Sequence, residues 1–339
     1  MPELFFRLPR RQTTLNPLAT NKNMKTTRRK SFFKRGIIIF LLLFLLMNVV
    51  AFFHAYKFTH FITHEIARTG DPVKLSTAQK FKTLFFGVSN PRPTNKIFPS
   101  RKFETIRLKS NKEIECWYIP QSGAKGTIII FHGYGGDKSS MLDKAEEFLN
   151  LGYSTLLVDF MGSGGSEGNQ TTIGYFEAEQ VKTSFEYLKN KGERNIFLFG
   201  TSMGSVAIMK AMHDYHLNPG GIILECPFGT MYKTVCARFQ TMNAPTFPMA
   251  GLLVFWGGVQ NGFWAFGHNP TEYAKSISCP TLLLYGAEDK KVSKAEIDEI
   301  FKNLRGRKKM EIYRQAGHEN YLKNYKQEWV NDIKIFISS

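Results

Sequence analysis

Residues 195–212 force a sharp reversal on the chain. Asn195-Ile196-Phe197-Leu198-Phe199 is an apolar run of strand length, and residues 205–212 carry a helix-like pattern. Only Gly200-Thr201-Ser202-Met203-Gly204 lies between them. A strand that becomes a helix across G-x-S-x-G lifts its serine to the tip of a strained turn. Glycines two places either side, Gly200 and Gly204, let strand and helix approach each other. The helix that follows aims its N-terminal amides and dipole at the space in front of Ser202, where an oxyanion would form.

The surrounding chain supplies a sheet for such a turn. Residues 103–108 and 113–119 alternate like an antiparallel pair joined at Ser110-Asn111. Residues 127–131 form a continuous apolar run, expected of a parallel strand buried on both faces. Runs at 154–158, 196–199, 222–224, 281–285 and 310–313 repeat it, and helical patterns lie near 139–151, 172–191, 203–215, 293–304 and 319–336. The alternation predicts an α/β domain over 101–339: a mostly parallel eight-stranded sheet with helices on both faces and an antiparallel edge. One segment interrupts it. Residues 247–267 carry no charge, but their glycines, Gln260 and Asn261, and their place between two strands argue for a cap at about 228–276 over a second membrane span. Phe247, Phe255, Trp256, Phe263 and Trp264 give that cap an apolar underside suited to an acyl group.

The net charge of +17 is unevenly held: residues 1–35 contain ten Lys/Arg against Glu3 alone. The remainder has no dense basic stripe, which argues against nucleic acid as a partner. The basic block ends at Lys34-Arg35, and residues 36–53 follow without a charge, about 27 Å as a helix and just enough to cross a bilayer. Phe52-Phe53-His54-Ala55-Tyr56-Lys57 offers no signal-peptidase site, so the run reads as an uncleaved signal anchor. Positive charge on its N-terminal flank predicts a cytoplasmic tail (1–35) and an extracytoplasmic catalytic domain. Met24 offers a second start, before Lys-Thr-Thr-Arg-Arg-Lys. Residues 54–100 read as a connecting segment, helical to about Ala67 and then extended through Pro91, Pro93 and Pro99. The histidines there, His54, His60 and His64, have no clustered acidic or cysteine partners and predict no metal site. The four cysteines leave a Cys226–Cys236 bridge open.

A serine hydroxyl needs a base, and the base needs an orienting carboxylate. In a parallel sheet these partners sit on loops at the carboxyl ends of later strands. Residues 286–292, Gly-Ala-Glu-Asp-Lys-Lys-Val, offer Asp289, with Glu288 and then Glu225 as competitors; residues 314–320 offer His318. The order Ser202, Asp289, His318 is the one expected for this arrangement. Met203 N–H and an amide of His132-Gly133-Tyr134-Gly135-Gly136, with Tyr134 preferred, would form the oxyanion hole. His132 shapes that loop and is not the base.

These motifs, together with Asp159-Phe160-Met161-Gly162-Ser163-Gly164-Gly165-Ser166-Glu167-Gly168, resemble the α/β-hydrolase superfamily over roughly residues 100–339. The likeness is closest to membrane-anchored members of the serine-aminopeptidase-like and monoacylglycerol-lipase-like branch. Met161 stands where relatives often carry arginine, a departure in a structural loop. The resemblance implies hydrolysis through an acyl-enzyme on Ser202, without metal or organic cofactor, and does not fix the substrate; a small-molecule or lipid acyl substrate is the expected partner. Ester, thioester, amide and acyl-transfer chemistry would all use the same residues. A catalytically idle binding domain is the opposing reading, and such a domain would usually have lost one of the three.

Overall fold

The apolar runs become the strands of one sheet. A computed structural model describes residues 17–70 and 75–338, so residues 1–16 of the basic tail lie outside the described residues. The strands are β1 (Glu104–Leu108), β2 (Ile114–Ile119), β3 (Thr127–Phe131), β4 (Ser154–Val158), β5 (Ile196–Thr201), β6 (Gly221–Glu225), β7 (Thr281–Gly286) and β8 (Lys308–Tyr313). Their order is β1-β2-β4-β3-β5-β6-β7-β8. β2 runs antiparallel to β1 and β4, and every later pairing is parallel. The expected fold class is the one found.

The helices are α1 (Pro17–Thr59), α2 (Thr77–Phe86), α3 (Leu142–Asn150), α4 (Glu177–Asn190), α5 (Met203–Tyr215), α6 (Met231–Thr241), α7 (Met249–Asn261), α8 (Pro270–Tyr273), α9 (Lys294–Asn303), α10 (Tyr321–Asn324) and α11 (Lys326–Ile337). Successive strand residues face opposite sides, which splits the core in two. Ile129, Phe131 and Leu156 meet α4, α5 and α9 through Val181, Val206 and Ile297. Ile128, Ile130 and Leu157 meet α3 and α11 through Phe148, Trp329 and Ile333. β3, β4, β6 and β7 are buried along their whole length, as strands covered on both faces must be.

The chain divides into a stretch up to Val49 and a unit from Val50 onward. In the first, the residues from Ser31 belong to a helix long and apolar enough to cross a membrane, and its apolar side chains from Phe32 to Leu46 stand exposed. In the second, the helix stops at Thr59 and does not continue to Ala67. Phe61 N–H and Ile62 N–H donate instead to Asn169 and Asn90 carbonyls at 2.6 and 2.7 Å, which takes the chain into extended backbone. The helix expected at 172–191 begins only at Glu177, because that buried carboxylate accepts Thr172 N–H, Gly174 N–H and both threonine hydroxyls of the preceding loop. Helix α2 was not foreseen, although Ser76 and Gln79 form a capping box that the sequence spells out.

Between β6 and β7 stand α6, α7 and α8. With 13 residues, α7 is about 20 Å long and too short to span a bilayer. All four cysteines are free thiols.

A buried ion cluster pins the loops after β3 and β4 together. The Lys138 ammonium donates to the Asp159 carboxylate and to Glu115 Oε1 (2.9 Å), and stands 4.3 Å from the Trp117 ring centroid. Asp159 also accepts Lys138 N–H, Gly165 N–H and the Asn95 amide. Lys138→Met would strand a buried carboxylate without its cation. We expect it to lower unfolding free energy by about 3–5 kcal/mol in denaturant titrations of the detergent-solubilised chain. A change within about 1 kcal/mol would assign the cluster no structural weight.

Candidate active site

The turn between β5 and α5 has the strain its sequence predicts. Ser202 sits at φ 52°, ψ −109°, a positive-φ conformation rare for a residue with a side chain. It is tolerated because its neighbours leave no alternative. A Cβ on Gly200 would lie 2.5 Å from the Gly204 carbonyl carbon, and one on Gly204 would collide with the Phe131 carbonyl at the end of β3. The turn is tied to β6 as well, since Ser202 N–H donates to Glu225 O (2.8 Å) and Ser205 Oγ to Gly200 O and Glu225 O.

Two loops deliver the partners. The His318 ring lies with Nε2 3.1 Å from Ser202 Oγ and Nδ1 2.7 Å from Asp289 Oδ2. The carboxylate is an acceptor only, so Nδ1 carries the proton and Nε2 is left to accept from the serine. Asp289 is held in turn by Lys291 N–H (2.7 Å) and Val292 N–H (3.0 Å) on its Oδ1. Gly286 makes the meeting of these loops feasible: a Cβ there would stand 2.5 Å from the Ala316 and Gly317 carbonyls. Burial pulls the His318 pKa down, but the Cys226 sulfur and the Asp289 carboxylate, through charge and hydrogen bonds, push it up further, and the net direction is upward.

The competing acids are elsewhere. Glu288 is exposed. Glu225 is fully buried behind the turn, accepting from Trp329 Nε1 (2.7 Å) and Thr201 Oγ1 (2.9 Å) beside the Lys144 ammonium at 3.5 Å. Lys144 also donates to Asn320 Oδ1 at 2.6 Å, so this network joins the floor of the serine turn to the histidine loop. Its members lie on five separate segments, and no spacing in the sequence announced them.

The glycine-rich loop after β3 lies against the same serine. A Cβ on Gly133 would be 3.7 Å from Ser202 Cβ. His132 is buried inside the loop, donating Nδ1–H to Gly133 O (2.8 Å) and accepting Phe160 N–H on Nε2 (3.1 Å), and burial lowers its pKa. Both nitrogens are engaged and neither points to Ser202. Met203 opens α5, whose first amides have no partner within the helix. Tyr134 is half-buried, its hydroxyl donating to Phe58 O (2.6 Å) and accepting from Asn90 Nδ2 (2.7 Å).

A family model described as serine aminopeptidase, S33, matches residues 122–263, which include the glycine-rich loop and the serine turn. Esterase Pf2001 of Pyrococcus furiosus superposes with a TM-score of 0.62 at 22% identity, over 73% of this chain and 96% of that one. The chain has the α/β-hydrolase fold. Among relatives in sequence, the uncharacterized protein YqkD of Bacillus subtilis (strain 168) is 26% identical over 219 residues, 62% of this chain and 71% of its own length. The lysophosphatidylserine lipase ABHD12 of Macaca fascicularis is 24% identical over 183 residues, 52% of this chain and 44% of that one.

Two measurements check the geometry itself. Gly204→Ala drives a methyl into the Phe131 carbonyl and should cost about 3 kcal/mol in thermal or denaturant unfolding; full stability would contradict the packing. In NMR titration, the His318 imidazole should titrate above 6.5, and lower in Asp289→Asn, where burial persists without the carboxylate. A wild-type value at or below 6.5 would contradict the stated balance of charge and burial.

Proposed function

We propose that this chain is a membrane-anchored serine hydrolase that cleaves carboxylic esters of lipid-like character through an acyl-enzyme on Ser202. The observation that carries the reading is the continuous path from Ser202 Oγ through His318 to Asp289 Oδ2, at 3.1 and 2.7 Å. In this reading the unprotonated form of the His318 ring takes the Ser202 proton as Oγ attacks the ester carbonyl. The Met203 and Tyr134 amides hold the oxyanion. His318⁺, steadied by Asp289, then protonates the departing alcohol. Water, deprotonated by the same ring, attacks the acyl-enzyme and releases the acid. No step calls for a metal or an organic cofactor.

Lipid character is supported by the exposed apolar side chains of the cap and its surroundings. Phe247 is 83% exposed, and Trp264, Phe85 and Phe86 are open as well. The lipase among the sequence relatives supports it too. Residues 36–53 serve as the signal anchor in this reading. The basic tail 1–35 is cytoplasmic, the segment 54–100 connects, and the hydrolase domain 101–339, with its cap at about 228–276, lies outside the cytoplasm. A peptidase reading with the same three residues is favoured by the description of the matching family model, serine aminopeptidase.

A fluorophosphonate probe should label the full-length chain in detergent, and Ser202→Ala should abolish labelling. Absence of labelling on folded protein would refute the serine hydrolase. Asp289→Asn should reduce kcat by about 10³- to 10⁴-fold. On p-nitrophenyl esters of graded length, kcat/KM should rise toward long acyl chains; faster turnover of aminoacyl substrates would favour the peptidase.

A further inference from the structure

The geometry points to the segment leaving the apolar helix, residues 57–62, as a working part of the active site: Phe58 and Asn90 are positioning residues that hold Tyr134, and with it one wall of the oxyanion hole. The catalytic consequence rests on the hydrolase reading above, whereas the brace itself stands on distances.

Both bonding capacities of the Tyr134 hydroxyl are spent on this segment and its partner. It donates to Phe58 O at 2.6 Å and accepts from Asn90 Nδ2 at 2.7 Å, and the same amide donates to Lys57 O at 3.1 Å. The Phe58 ring stacks on the Tyr134 ring with centroids 4.6 Å apart and planes 9° from parallel. The Arg238 guanidinium of the cap stands 4.5 Å from the Phe58 centroid, and buried Phe61 lies 6.0 Å from Tyr134. A tyrosine between two glycines of a turn would otherwise be among the freest residues of the loop. Here it is fixed at its hydroxyl end and across its ring.

The same segment reaches the other oxyanion donor. Thr59 O accepts Thr171 N–H at 2.8 Å, and Phe61 N–H donates to Asn169 O at 2.6 Å. Thr171 Oγ1, which donates to Glu177, lies 3.3 Å from the Met203 sulfur. A stretch of six residues thus backs both Tyr134 and Met203. Ile62 closes the structure with a bond to each side, Ile62 N–H to Asn90 O and Arg92 N–H to Ile62 O. A tether that merely attached the domain to a membrane would have no need of bonds to the loop facing Ser202. Preorganised donors lose their advantage when they drift, and misplacement by about 1 Å can cost about 100-fold.

The test uses the full-length chain in detergent, with Tyr134→Phe, Phe58→Ala and Asn90→Ala, read by hydrogen exchange and by hydrolysis of p-nitrophenyl butyrate. Tyr134→Phe keeps the ring stack and removes only the hydroxyl bonds, so it remains informative if the other variants fold poorly. The expected result is faster amide exchange at residues 133–136 with β5–β8 unchanged, and kcat lower by about 10- to 100-fold at near-constant KM. Unchanged exchange in folded variants would overturn the brace. Faster exchange with unchanged kcat would overturn its role in turnover. Wild-type turnover no faster than that of Ser202→Ala would instead mark failure of the hydrolase reading, removing the catalytic consequence while exchange still decides the brace.

Discussion

The close contact of α5 with the end of β3 is the constraint on which the site depends. With Gly204 against the Phe131 carbonyl and Gly200 against the α5 backbone, the chain has no relaxed path from β5 into α5. Ser202 is held in its strained conformation by the packing of three buried elements. Its own preference would release it. The energy that holds it comes from the central strands, whose residues are buried on both faces. Strain at one residue is affordable in a fold only when the core around it is this large.

That contact also orders the rest of the site. Because β5, β6, β7 and β8 run parallel, their carboxyl ends open on one edge of the sheet, and loops of distant sequence meet there. Asp289 and His318 come from the loops after β7 and β8, brought together through the Gly286 approach to the Ala316 and Gly317 carbonyls. The glycine-rich loop comes from β3, adjacent to β5 in the sheet though two strands earlier in the chain. Lys138 with Asp159, and Lys144 with Glu225, are matched in the interior, and Asp289 is paired with His318.

Ser202 and His318 could be read from the chain, with Asp289 preferred over Glu288 and Glu225, because each stands in a short local pattern next to a strand whose type was clear. The central strands were legible because burial on two faces writes an unbroken apolar run, and the antiparallel edge was legible by its alternation. The unread parts are those without local grammar. Phe58, Asn90 and Tyr134 are 32 and 44 residues apart, and nothing in a connecting segment rich in proline and lysine marks one asparagine as the partner of a distant phenol. The helix boundaries at Thr59 and Glu177 differ from the sequence reading because hydrogen bonds outside the helical pattern, to the Asn169 and Asn90 carbonyls in one case and to the Glu177 carboxylate in the other, overrode local propensity.

By itself the sequence determined the α/β architecture, the strained serine turn, a histidine to face it and an apolar helix suited to a bilayer. These are consequences of periodicity and of glycine placement, which act over a few residues. Only the tertiary structure decided which carboxylate meets His318, since Glu288, Asp289 and Glu225 all lie near strand ends and differ in where the backbone points them. Only it decided that the end of the apolar helix lies against the loop facing Ser202. Such choices depend on which surfaces are left to cover once the sheet has closed, and no local stretch of chain contains that information.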